Sequence, residues 1–97
     1  MAITLNKYAI QCEKIALSSG RITPFSSPQP LLYDISRNWR RSLIATSFPD
    51  SGTRWTEKET MVCEVIVSAL TYLQRIGCKN IEQLLKDTIE RQARQIE

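Results

Sequence analysis

Glu64 invites a chemical reading first, because it is a charge set in the most apolar stretch of the chain, between Met61 and Ile76. A carboxylate buried in such a stretch requires a partner, a metal ion or a raised pKa. A second group of capable side chains is Asp34, Arg37, Asn38 and Arg41, whose spacing of three and four sets them in a polar line along one helix. The chain has no histidine. That removes the commonest general base and excludes a Cys–His nucleophile, so any catalysis would rest on carboxylates or on a metal. Cys12, Cys63 and Cys78 stand at long, unrelated spacings. Without histidine a zinc site would need another ligand set, and the three read as reduced, mostly buried thiols of a cytoplasmic protein.

The elements that would position these groups are four helices, over about residues 4–17, 28–44, 57–76 and 81–95 of a single all-α domain. Leu5, Tyr8, Ala9, Cys12, Ile15 and Ala16 follow the helical period in the first, which Ser18-Ser19-Gly20 ends. A loop rich in Ser and Pro follows, with Ser27 as an N-cap and Pro28 at the first helical position. In the second helix Leu32, Ile35, Trp39 and Leu43 share one face, which reads as its core side, with the Asp34–Arg41 line beside it. Pro49, Asp50 and Gly52 signal a turn after it, and Phe48 and Trp55 are expected to fold back onto the core.

The third helix is the centre of the chain. Thr56 and Glu59 form a capping box. Met61, Val62, Val65, Ile66, Ala69, Leu70, Leu73 and Ile76 repeat at helical steps, and Cys63, Val67 and Tyr72 widen the apolar girth. The remaining line is polar: Thr60, Glu64, Ser68, Thr71 and Arg75. Gly77 closes the helix. Asn80 and Gln83 repeat the capping-box logic for the fourth, whose stripe is Ile81, Leu84, Leu85, Thr88, Ile89 and Ile96. No strand pattern occurs. A domain of 97 residues cannot easily surround so apolar a helix, so a second copy is expected to cover part of it.

Composition excludes some classes. A hydrophobic fraction of 42% and a charged fraction of 24% are those of an ordinary globular protein. The N-terminus lacks the features of a signal peptide, and no apolar run reaches membrane-spanning length. The net charge of +3 is too small to imply nucleic acid. The Trp39-Arg40-Arg41 cluster has a nucleic-acid reading, by stacking and phosphate neutralisation, and a structural one, with Trp39 in the core and the arginines at its rim. The structural one is preferred.

Laid out in this order, the helices resemble the MazG-like all-α nucleoside triphosphate pyrophosphohydrolases, from Leu5 to Gln92. LNKYAIQCEKIA is similar to that family's first helix, LLYDISRNWRR to its second, WTEKETMVCEVIVSALTYLQRIG to its third and NIEQLLKDTIERQ to its closing helix. The resemblance implies a helical bundle completed as a dimer or tetramer. It also implies a magnesium site in which Glu-x-x-Glu on the second helix and Glu-x-x-Asp on the third hold a nucleotide's phosphates. Here those four positions are Asp34, Arg37, Met61 and Glu64, so the metal motif is degenerate. Glu57, two turns before Glu64, is the one further acid on a similar face.

Three readings of the group stay open. Asp34, Glu64 and Glu57 are a vestigial Mg2+ site; or Glu64 is half of a buried ion pair with Arg37 or Arg75; or Arg37 and Arg41 bind phosphate without metal. Three functions stay open beside them: a non-catalytic or weakly active relative that binds a nucleotide or a protein partner through the groove around Asp34, Arg37 and Glu64; a working Mg2+-dependent pyrophosphohydrolase that uses Asp34, Glu57 and Glu64; and an oligomerisation module without ligand.

Overall fold

The computed structural model describes residues 4–47 and 54–96. Four helices follow in order: α1 (Leu5–Ser18), α2 (Gln29–Ile44), α3 (Glu57–Arg75) and α4 (Ile81–Ile96). No strand occurs among the described residues, and the chain is all-α. No helix among them is long and apolar enough to cross a membrane. The turn expected at Pro49, Asp50 and Gly52, and the expected docking of Phe48, lie outside the described residues.

Local sequence explains the helix ends. Thr56 and Glu59 make both halves of the capping box: the Thr56 hydroxyl accepts from the Glu59 N–H at 3.0 Å, and the Glu59 carboxylate accepts from the Thr56 N–H at 3.2 Å. Gly77 takes a φ of 85° after the last turn of α3, a conformation in which only glycine is unstrained. The N-cap of α2 is Pro28 rather than the expected Ser27, so the helix begins at Gln29, one residue later than the sequence implied, with Pro30 in its first turn; the Ser27 hydroxyl accepts from the Gln29 N–H from one position further out. Asn80 accepts from the Gln83 N–H at 3.0 Å. The Gln83 side chain turns away to donate to Asp87, and the second cap of α4 comes from elsewhere. Asn6 of α1 accepts from the N–H groups of Ile81 at 2.7 Å and Glu82 at 3.2 Å, so α4 starts on a tertiary contact.

α2 and α3 are antiparallel neighbours: Thr46 and Ser42 meet Lys58 at one end, Asn38 meets Ser68 midway, and Leu31 and Tyr72 share a cluster at the other. α1 packs on α3, and α4 touches the body mainly near its own start. Two small clusters hold the body together. Ala9, Leu70 and Ile81 join α1, α3 and α4, with Leu5, Cys12, Leu73 and Cys78 against them. Ala16, Ile22 and Leu31 join α1, the following loop and α2.

The rotational setting of α2 corrects the sequence reading. Of the stripe Leu32, Ile35, Trp39 and Leu43, read as the core side, Ile35 alone is half-buried and the rest are exposed, with Trp39 at 54% and Leu43 at 60%. What meets α3 instead is the neighbouring line of Leu31, Asn38, Ser42 and Ala45. α3 answers in kind, because its polar line turns inward: Ser68 is 8% and Thr71 3% exposed. Asn38 donates to the Ser68 hydroxyl at 2.7 Å, and Thr71 donates to the Val67 carbonyl at 2.8 Å. Every buried side-chain polar atom among the described residues has a partner, which is the condition for a polar seam to be stable. Trp55 is also exposed rather than folded onto the core, with the Arg54 guanidinium 4.8 Å from its ring.

All three cysteines are free. Cys12 and Cys78 are half-buried, whereas Cys63 is exposed against the expectation. Burial pushes the Cys12 thiol up from its ordinary value, an effect opposed in part by a hydrogen bond with Thr71 and by the charge of Arg21.

Candidate functional site

The polar line of α2 and Glu64 of α3 meet along one side of the α2–α3 seam. Asp34, Arg37 and Arg41 stand on α2, Glu64 on α3, and Arg21 reaches in from the loop after α1. Asn38 and Ser68, the hydrogen-bonded pair of the seam, form the floor, and Val67 supplies an apolar wall. The resulting open cleft has a volume of about 400 Å³. Four of the five residues singled out by sequence are therefore together here: Asp34, Arg37, Arg41 and Glu64.

Glu57 is not brought into the group. Its carboxylate accepts from the Thr46 hydroxyl at 3.3 Å, where the α2–α3 connection meets the start of α3. Neither ion pair proposed for Glu64 forms. Arg37 donates to Asp34, its neighbour one turn earlier on the same helix, at 2.7 Å. Arg75 pairs with Glu13 of α1 at 3.4 Å and also donates to the carbonyls of Thr23, Pro24 and Ser26, pinning the loop onto α3. Glu64 itself is exposed. The inward turn of Ser68 and Thr71 leaves Glu64 at the open edge of the seam, so the burial penalty expected of it is absent.

Three guanidinium groups and two carboxylates line the cleft, an excess of one positive charge. Asp34 already neutralises Arg37 in part. The Arg21 Nε donates to the Ser19 hydroxyl at 3.3 Å, its one side-chain hydrogen bond among the described residues. Arg41 has no hydrogen-bond or ion-pair partner among the described residues, and its planar fork of donors lines the cleft. Guanidinium forks match phosphate oxygens in pairs. A carboxylate beside them can accept from a hydroxyl or a ring N–H. The cleft thus offers both halves of what a phosphorylated sugar or nucleotide presents.

Magnesium asks for a near-octahedral set of oxygens, usually one or two carboxylates with waters and substrate phosphates. Among the described residues no three potential ligand side chains stand together as a metal group. Of the two carboxylates in the cleft, Asp34 is engaged by a guanidinium. That donor set fits a divalent cation poorly, and no chemical step is derived through one.

Sequence reasoning missed Arg21, and it did not pair Asn38 with Ser68 as the floor of the cleft. Arg21 carried no signal, since it lies in a loop without periodicity. Asn38 and Ser68 were visible as members of polar lines, but nothing in either line alone indicated that the two face one another. Comparison with protein-family models, with curated proteins and with solved structures gives no match for this chain.

Proposed function

We propose that the chain is a small helical binding protein of the MazG-like type, whose polar cleft takes a phosphorylated ligand, and by resemblance a nucleotide, with weak or no pyrophosphohydrolase activity. The observation that carries this reading is the cleft's guanidinium excess, with Arg41 unengaged by any described residue. Arg41 and Arg21 take phosphate oxygens, Arg37 adds a third donor group from its place against Asp34, and Glu64 accepts from the sugar or the base. The affinity is electrostatic in large part, so it weakens as salt screens the exposed guanidiniums.

The test is a thermal melt of the protein against a panel of nucleoside mono-, di- and triphosphates, with magnesium and with a chelator, followed by a pyrophosphate assay. A ligand that binds only the folded state raises its melting temperature. The expected result is a rise with di- or triphosphates that survives the chelator and is lost in Arg41→Ala. A rise that requires magnesium and accompanies pyrophosphate release, both lost in Glu64→Gln, would make the chain a working hydrolase instead. If no phosphorylated compound moves the melt, the cleft is a structural polar seam and the binding role is wrong.

A further inference from the structure

The structural reading of the Trp39-Arg40-Arg41 cluster requires Trp39 in the core, and Trp39 is exposed. The arginines beside it therefore rim no core, and the outward face of α2 needs another account. Successive residues of a helix turn by about 100°, which sorts the residues of α2 around Asn38, where it meets α3. Arg37 precedes Asn38 and lines the cleft, as do Asp34 and Arg41. Trp39 follows Asn38 and lies on the opposite flank.

Between the two flanks, facing away from α3, come Tyr33 and Arg40. Tyr33 stands one turn before Arg37 and Arg40 one turn after it, so the three are neighbours on the helix surface. The positive edge of the cleft therefore continues onto the solvent face, through an aromatic ring and a further guanidinium. Tyr33 is 70% exposed, the Arg37 side chain is 62% exposed, and Arg40 and Arg41 are open to solvent. The small net charge of the chain understates this patch. α2 holds three arginines and a single acid, Asp34, which lies on the cleft side against Arg37.

An exposed ring set among guanidiniums has an occupant defined by its chemistry. Guanidiniums take phosphate oxygens, and an aromatic face accepts an unpaired base whatever its identity. A free nucleotide carries its phosphates at one place and is accommodated by the cleft alone. A strand supplies phosphates at successive positions with bases between them, as the line from Arg41 to Tyr33 and Arg40 asks. A duplex keeps its bases stacked inside, away from Tyr33.

We infer that the solvent face of α2, from the Arg41 cleft across Arg37 to Tyr33 and Arg40, binds single-stranded nucleic acid, with phosphates on the arginines and a base stacked on Tyr33. The inference rests on the reading of the cleft as a phosphate site and extends it from a nucleotide to a strand.

Fluorescence anisotropy of a labelled oligothymidine of about 15 nucleotides, titrated with the full chain at several salt concentrations, tests this beside the nucleotide melt. The expected result is saturable binding that weakens with salt at a logarithmic slope of about −2 to −3, the value for three or four phosphate contacts on a single strand. Tyr33→Ala is expected to weaken it about tenfold, and Tyr33→Phe, which keeps the ring, to leave it unchanged. Arg40→Ala lowers the slope by about 0.7. Lys86→Ala removes the same charge from α4, which makes no contact with α2 among the described residues, and leaves binding unchanged. Equal binding by Tyr33→Ala and wild type would overturn the inference, as would equally tight binding of a duplex or of polyglutamate. A protein that binds no strand while a nucleoside triphosphate still raises its melting temperature would also overturn it and leave the cleft reading standing. If neither ligand binds, both fall.

Discussion

The two sides of the α2–α3 pair are built from the same helices and separated by half a turn, yet they answer to different physics. One side is a polar cleft whose arginines outnumber its acids. The other is an apolar face with Trp39 and Ile66 half exposed, at 54% and 52%. The seam between them is polar as well, through Asn38, Ser68 and Thr71. A monomeric helical domain ordinarily turns its apolar stripe inward. The difference is one of composition: charged and hydrogen-bonding groups gather on one side, and large apolar side chains stand exposed on the other.

Substitutions can break that division, beginning with the apolar side. Ile66→Asp places a carboxylate in the apolar groove between α3 and α4, beside Leu84 and Leu85, and is expected to cost about 2–3 kcal/mol, read as a lower melting temperature. The seam comes next. Asn38→Ala removes the donor to the Ser68 hydroxyl and leaves a part-buried acceptor unpaired, at a cost of about 1–2 kcal/mol by urea denaturation. On the cleft side, Arg41→Ala should leave the denaturation midpoint almost unchanged, because no described partner is lost. Its effect is on ligand affinity, by about tenfold, equivalent to about 1.4 kcal/mol.

The smallest expected effect is a dependence on pH. The Cys12 thiol is raised by burial, so native protein keeps that proton at a pH where the unfolded chain releases it. Its contribution is therefore fully present below the ordinary thiol pKa of 9.0 and is lost as pH rises through the raised native value. Urea melts at neutral and alkaline pH should show wild type losing more stability than Cys12→Ala.

Helix number, helix order and the two ends of α3 were legible in the sequence because their causes are local. Thr56 and Glu59 lie three residues apart, and Gly77 needs only its own φ. The α4 cap from Asn6 was not legible, since donor and acceptor are more than seventy positions apart. The cleft was legible as a polar line on each helix, and Asp34, Arg37, Arg41 and Glu64 did come together. Its pairing was not, because Arg37 had Asp34 within one turn and Arg75 found Glu13 and three loop carbonyls. The rotation of α2 misled for a physical reason. The helical period states which residues share a face and does not state which of two neighbouring faces packs on α3.

Calorimetric titration of a nucleoside triphosphate into wild type and Arg41→Ala, both in chelator, tests the assignment of the cleft most directly. The account predicts saturable binding in wild type, about tenfold weaker in Arg41→Ala, with the oligomeric state of both unchanged. Equal binding by the two proteins, or none by wild type without a divalent cation, would contradict it.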